Sequence, residues 1–173
     1  MDVLDLGCGN RKRPGAIGLD CNPDTDADVI HDLNVYPYPF ESDSFDEINA
    51  DSVIEHLDDV IKTMEELHRI ARPGALVRIV VPYFRGQWAY IDPTHRHFFA
   101  AESFSYFQPG HVNNERYNYS KAHFQIERRV FNESLPGKRL LKWFANRQPV
   151  RYEYRLSHLM PLDDLTFYLR VID

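Results

Sequence analysis

Short apolar runs alternate with polar and glycine-rich breaks through the first eighty residues of the chain. Residues 2–6 form an apolar run that ends in glycines and predicts a buried strand. Residues 16–20, 28–31 and 45–50 predict three further strands, and the two prolines of Tyr36-Pro37-Tyr38-Pro39 mark a loop because they remove donors and fix φ. Leu57, Val60, Ile61, Met64, Leu67 and Ala71 recur at helical spacing and predict a helix over residues 57–71. Asp58 and Asp59 in its first turn, with Arg69 and Arg72 near its end, complement the helix dipole. Arg72-Pro73-Gly74 stops it, and the β-branched run at 75–81 follows as a strand. Beyond Pro82 the pattern is irregular to about Lys121. A strand at His123–Phe131, a short helix at 140–145 and a last strand at 165–172 complete the chain. Strand–helix–strand order of this kind predicts an α/β fold with a parallel sheet.

The first candidate chemistry is the loop after the first strand, Asp5-Leu6-Gly7-Cys8-Gly9. Glycines suit a strand end where the backbone turns sharply and a ligand approaches the main chain, and the exposed N–H groups of such a loop can bind a carboxylate or phosphate. The third glycine of a dinucleotide fingerprint would fall at Lys12, which counts against a nicotinamide cofactor. Asp20 ends the second strand, where a carboxylate can accept from both hydroxyls of a ribose or simply serve a turn. Asp32-Leu33 follows the third strand and reads either as an adenine contact or as an ordinary loop pair. Cys8 reads as a small residue of the glycine loop, and Cys21 lies next to the ribose candidate.

In this order the motifs resemble those of class I S-adenosylmethionine-dependent methyltransferases, in a small, type-11-like form shortened at the N-terminus. Val3-Leu-Asp-Leu-Gly-Cys-Gly9 resembles the first motif, Ile17-Gly-Leu-Asp20 the second and His31-Asp-Leu-Asn34 the third. Phe45-Asp-Glu-Ile-Asn-Ala-Asp-Ser-Val-Ile-Glu-His-Leu57 resembles the fourth strand and its loop, and Arg72-Pro-Gly-Ala-Leu-Val-Arg-Ile-Val-Val-Pro82 the fifth strand with its entry turn. The resemblance covers residues 2–82. It implies a Rossmann-like, doubly wound, mostly parallel sheet of about seven strands with an antiparallel strand near the C-terminus. It implies S-adenosylmethionine as cofactor, held by Asp5, Gly7, Cys8, Gly9, Asp20, Cys21, Asp32 and Leu33. The backbone of Asn49 and Ala50 would face the methionine part, and His56 would open the next helix. The implied reaction is in-line attack of an acceptor on the sulfonium methyl. Only nine residues, 7–15, separate the first two strands, whereas a parallel crossover normally takes a dozen or more and usually a helix. The first crossover helix is therefore expected to be reduced or absent. The uncovered sheet suggests a possible homodimer.

Residues 83–124 carry 12 of the 23 aromatic side chains. They are expected to shape a substrate pocket or lid, to form the core of the C-terminal half, or both. The same segment holds Ile91-Asp-Pro-Thr-His-Arg-His-Phe-Phe99. Histidine exchanges a proton near neutral pH, so His95 or His97 is the candidate general base, with Asp92 as its orienting carboxylate. The histidines and Asp92 show no close-spaced ligand motif such as H-E-x-x-H, and no metal site is expected.

Composition narrows the partners. A length of 173 residues fits one domain, divided here into a cofactor half (1–82), an aromatic substrate or lid segment (83–122) and C-terminal strands and helix (123–173). The net charge of −6 separates into −9 over residues 1–100 and +3 over 101–173, an acidic balance that does not favour nucleic acid. Two cysteines imply no disulfide scaffold. No apolar run is long enough to cross a membrane, and no secretory signal opens the chain, so a cytoplasmic location is expected. The expected partner is a small-molecule acceptor. Methylation of a macromolecule and a non-catalytic cofactor- or protein-binding module are the alternatives.

Overall fold

The computed structural model describes residues 1–132 and 137–172. Seven strands form one sheet: β1 (Val3–Leu6), β2 (Ile17–Asp20), β3 (Val29–Ile30), β4 (Phe45–Asp51), β5 (Ala71–Pro82), β6 (His123–Phe131) and β7 (Asp164–Ile172). Their order is β3-β2-β1-β4-β5-β7-β6. The first five pair in parallel, and β7 runs antiparallel to both β5 and β6. This is the doubly wound arrangement expected, with the antiparallel strand inserted beside β5.

One face of the sheet is apolar. The register aligns Leu4, Ile48 and Val77, and one step on Leu6, Ala50 and Ile79, all buried. Helix α1 (Val60–Ile70) contributes Met64, Leu67 and Ile70 to the same hydrophobic core. The periodicity predicted this helix, but it starts three residues late. Asp59 caps it by accepting from the Lys62 N–H at 3.0 Å, because a short carboxylate side chain satisfies an orphan donor best from just outside the first turn. Residues Ile54–His56 make a separate 3-10 turn ahead of it, so His56 ends that turn and does not open the helix.

Among the described residues α1 is the one helix that joins two parallel strands. Residues 7–16, 21–28 and 31–44 connect β1 to β2, β2 to β3 and β3 to β4 without any. The last of these packs on α1: the Tyr38 N–H donates to Glu66, and Arg69 donates to the Phe40 carbonyl at 2.9 Å. On the opposite face of the sheet Asp5, Asn49, Arg78 and Tyr168 stand in one row across four strands. That face is polar where the other is apolar.

The segment after β5 contains short helices α2 (Trp88–Ile91) and α3 (Val112–Tyr117), which the pattern did not predict. Between β6 and β7 lie α4 (Arg139–Arg147), predicted at 140–145, and α5 (Pro149–Arg155), which was not. Tyr83, Phe99, Phe104, Phe107 and Phe124 are core residues, whereas Trp88, Tyr90 and Phe98 are exposed. No helix among the described residues is long and apolar enough to cross a membrane.

Candidate functional site

Three cavities lie around the carboxyl ends of the parallel strands, and Ser52 lines all of them. Ligands of open α/β sheets bind at this edge. The first cavity, about 360 Å³, is walled by Asp20, Cys21, Asp32, Leu33, Asn34 and Leu57, among others. The second, about 520 Å³, adds Asp5, Cys8, Gly9, Asn10, Arg11 and Arg13. Gly7 and Ser52 belong to both. The third, about 650 Å³, is walled by Arg11, Asp51, Glu55, His56, Trp88, Asp92 and His95, together with the end of β5.

The glycine loop differs from expectation in one respect. Its first N–H groups are turned into the protein: Gly7 donates to the Leu19 carbonyl at 2.7 Å, Cys8 to the same oxygen at 3.3 Å, and Gly9 to Asp20 Oδ2 at 2.9 Å. A crossover without a helix must close directly onto β2, and these donors make the closure. The loop is held further by Asp5, which accepts from the Arg13 N–H at 2.8 Å. Burial pushes the Asp5 carboxyl up, against the opposing Arg13 contacts. Lys12 pairs with Asp28 at 2.8 Å, and Asp28 also accepts from the Gly18 N–H at 2.7 Å. A Cβ on Gly18 would sit 2.6 Å from Lys12 Cδ and 2.8 Å from Cys8 Sγ, so this glycine gives the loop its seat on the sheet. Gly7 has a φ of +63°, and a Cβ there would lie 2.4 Å from Val53 Cγ2.

The residues present fit S-adenosylmethionine. Asp20 is half-buried at the cavity wall; its oxygens accept one N–H each, from Gly9 and Asn22, and retain lone pairs for two hydroxyls. Asp32 Oδ1 accepts from Asn34, which leaves Oδ2 for an adenine amine, and Leu33 supplies an apolar wall. Arg11 and Arg13 place cationic groups in the second cavity, where a carboxylate would be met. Asn49 and Ala50 are fully buried and line none of the three cavities. Asp51 and Ser52 do so in their place, because β4 ends later than expected and its last residue turns out at the strand end.

The third cavity holds the chemistry that sequence placed only in part. His95 lines it, and its Nδ1 lies 3.2 Å from the Ala89 carbonyl. A carbonyl only accepts, so Nδ1 carries the proton and Nε2 has the free lone pair. That Nε2 stands 4.0 Å from Glu55 Oε1. Asp92 does not orient His95. Its Oδ1 accepts from the Thr94 N–H at 2.8 Å and from Thr94 Oγ1 at 2.6 Å, the local bonding that an Asp-Pro-Thr turn favours. These bonds hold the Asp92 carboxyl below its ordinary range. The Thr94 hydroxyl, having given its proton to Asp92, accepts from His56 Nδ1 at 2.9 Å. His56 therefore also presents a bare Nε2, and burial followed by the neighbouring His95 lowers its pKa. The two rings meet edge to face at 4.7 Å. His97 lines none of the three cavities; its Nε2 lies 2.8 Å from the Leu57 carbonyl and ties the 92–99 segment to the end of the 3-10 turn.

Glu55 lies within the Phe45–Leu57 motif and is not among the site residues that the resemblance implies. It is fully buried, lines the third cavity, and neither carboxylate oxygen has a hydrogen-bond partner. Burial first, then the nearby Asp51 and Asp92 carboxylates, push its pKa to about 7. The signal for it was a lone acid in the apolar run Val53-Ile54-Glu55-His56-Leu57.

The sheet order and the cavity edge define the class: this is the class I S-adenosylmethionine-dependent methyltransferase fold. Residues 4–79 match the family model described as a methyltransferase domain. Several solved structures of this fold are S-adenosylmethionine-dependent methyltransferases. Among solved structures, a S-adenosylmethionine-dependent methyltransferase from Archaeoglobus fulgidus is 17% identical with a TM-score of 0.61, over 98% of this chain and 85% of that one. A putative methyltransferase from Bacillus halodurans is 11% identical with a TM-score of 0.62, over 99% and 93%. A Haloferax volcanii structure, a complex of the Trm112 methyltransferase activator with a putative methyltransferase, is 20% identical with a TM-score of 0.56, over 98% and 81%. No curated protein matches the sequence.

Proposed function

We propose that the protein transfers a methyl group from S-adenosylmethionine to a small-molecule acceptor bound in the 650 Å³ cavity. The observation that carries this reading is the adjacency of the three cavities through Ser52, with Asp20 and Asp32 in one, Arg11 and Arg13 in the next, and Glu55, His56 and His95 in the last. The bound cofactor supplies a methyl carbon already activated by its sulfonium, so the chain's task is mainly to hold the acceptor in line at short range. Asp20 accepts from the ribose hydroxyls, Asp32 and Leu33 meet the adenine, and Arg11 and Arg13 bind the methionine carboxylate that the glycine-loop N–H groups are not free to bind. Trp88 and the end of β5 form the apolar side of the acceptor cavity. The bare Nε2 of His95 takes the acceptor's proton, and Asp92 acts at a distance by fixing the Thr94–His56 pair. His97 positions the 92–99 segment.

Calorimetric titration with S-adenosylhomocysteine, followed by a labelled-methyl transfer screen, tests this reading. Binding that Asp20→Ala weakens, with transfer that His95→Ala slows, supports it. The absence of binding sinks the cofactor assignment, and binding without transfer to any small acceptor favours the macromolecular or non-catalytic alternative.

A further inference from the structure

We propose that Glu55, His56 and His95 form a binding site for a divalent transition-metal ion in the acceptor cavity. One donor atom from each of the three lies within 4.8 Å of the other two. Ligands bound at ~2.1 Å stand roughly 3–3.5 Å apart, so small side-chain rotations complete the set. Two imidazole nitrogens and one carboxylate with open positions beyond them suit zinc, iron or manganese.

Three independent features aim the donors at an ion. Both histidines are held in the same tautomer, His95 by the Ala89 carbonyl and His56 by the Asp92–Thr94 relay, each with Nδ1–H engaged and Nε2 left bare. Metal-ligating histidines are oriented this way, with the other ring nitrogen donating to a carbonyl or hydroxyl chain. Glu55 is fully buried and neither of its oxygens has a hydrogen-bond partner. A carboxylate in that position is costly unless something positive meets it, and buried polar groups are rarely left unmet. The surrounding wall is acidic, with Asp51, Asp92, Asp163 and Asp164 on the same cavity, which raises the local concentration of cations. The site escaped the sequence because its ligands come from two distant segments brought together by the bond between Arg96 N–H and the Glu55 carbonyl at 2.8 Å.

Three protein ligands leave room for the acceptor, and this part of the inference rests on the methyl-transfer reading. It selects acceptors with a hydroxyl beside a second oxygen, such as a vicinal diol or hydroxy acid. An ion at this place lowers the pKa of the hydroxyl it binds. The hydroxyl loses its proton to solvent, its oxygen forms the bond to the methyl carbon, and the carbon–sulfur bond breaks with its electron pair left on sulfur. With the ion bound, the Nε2 lone pair of His95 is used in ligation, and solvent replaces His95 as the proton acceptor.

The test is a titration of the chelator-stripped full chain with Co²⁺, followed by visible absorption, and with Zn²⁺ by calorimetry. The expected result is one ion per chain with a visible ligand-field band, both lost in Glu55→Gln and in His95→Ala. Thr94→Ala should keep the stoichiometry and weaken binding about tenfold, since it removes only the orientation of His56. His111→Ala, outside the cluster, should bind as wild type does. Should Glu55→Gln fail to fold by circular dichroism, His56→Ala and His95→Ala carry the same test. No uptake of either ion, or an unchanged band in His56→Ala and His95→Ala, overturns the site. Titrating the same stripped protein with S-adenosylhomocysteine separates the two readings. Cofactor-product binding without ion uptake removes only the metal site, and ion uptake without product binding removes only the methyl-transfer reading.

Discussion

Two connections in this molecule do the same topological task by opposite means. Both join parallel strands that are neighbours in the sheet: residues 7–16 link β1 to β2, and α1 with its preceding 3-10 turn links β4 to β5. The second is held by apolar burial, with Met64, Leu67 and Ile70 fully enclosed. The first has no helix and is held by carboxylates: Asp5 on Arg13, Asp20 on Gly9, and Asp28 on Lys12 and Gly18. The difference shows how a crossover helix can be dispensed with. The hydrogen bonds that a helix would make internally are replaced by bonds to β2, and the sheet face beneath carries a polar row in place of an apolar one. The cost falls on the ligand side, because the donors that would meet a cofactor carboxylate are used up in closing the loop.

That contrast is sharpest in stability. Leu67→Ala, which empties a fully buried position, should destabilise the fold by about 2–5 kcal/mol in denaturant unfolding. Gly7→Ala should cost about 1–3 kcal/mol through its positive φ, with the contact to Val53 added. Asp5→Ala strands the Arg13 N–H and should cost about 1–3 kcal/mol. Lys12→Ala, at an exposed ion pair, should leave the unfolding midpoint almost unmoved, and adding salt should reproduce its small effect. An Asp5→Ala variant more damaged than Leu67→Ala would break the comparison, since polar closure would then outweigh helix burial.

Much of this contrast was present in the residue pattern. The apolar stripe located α1 to within three residues at its start, and the β-branched run located β5, because both periodicities report burial directly. The short spacing between the first two strands, nine residues by the sequence pattern and ten in the structure, announced the missing helix by length alone. Where the chain is held by contacts between distant segments the pattern was silent. Helices α2 and α3 each span fewer than seven residues, too short for a stripe to show. Asp92 looked like a partner for His95 by proximity in sequence, yet a local turn captured it through Thr94. Glu55 looked like one polar residue in an apolar run. Its burial depends on the segment carrying Arg96, whose N–H bonds to the Glu55 carbonyl.

The start of the β4–β5 connection adds a pH test. Burial raises the Glu55 carboxyl from 4.5 to about 7, so the folded state favours the neutral form. In chelator, that contribution is full below about pH 4.5 and is lost as pH rises toward 7. The melting temperature should therefore carry a falling component across this window, absent in Glu55→Gln.

The central claim is that the carboxyl edge of this seven-stranded sheet, with its first crossover helix missing, binds S-adenosylmethionine with Asp20 as the ribose ligand. Calorimetric titration of the wild-type chain and Asp20→Ala with S-adenosylhomocysteine tests it most directly. The account predicts one site per chain and at least a tenfold weaker affinity in the variant, about 1.4 kcal/mol. No binding by the wild type, or equal binding by both proteins, would contradict it.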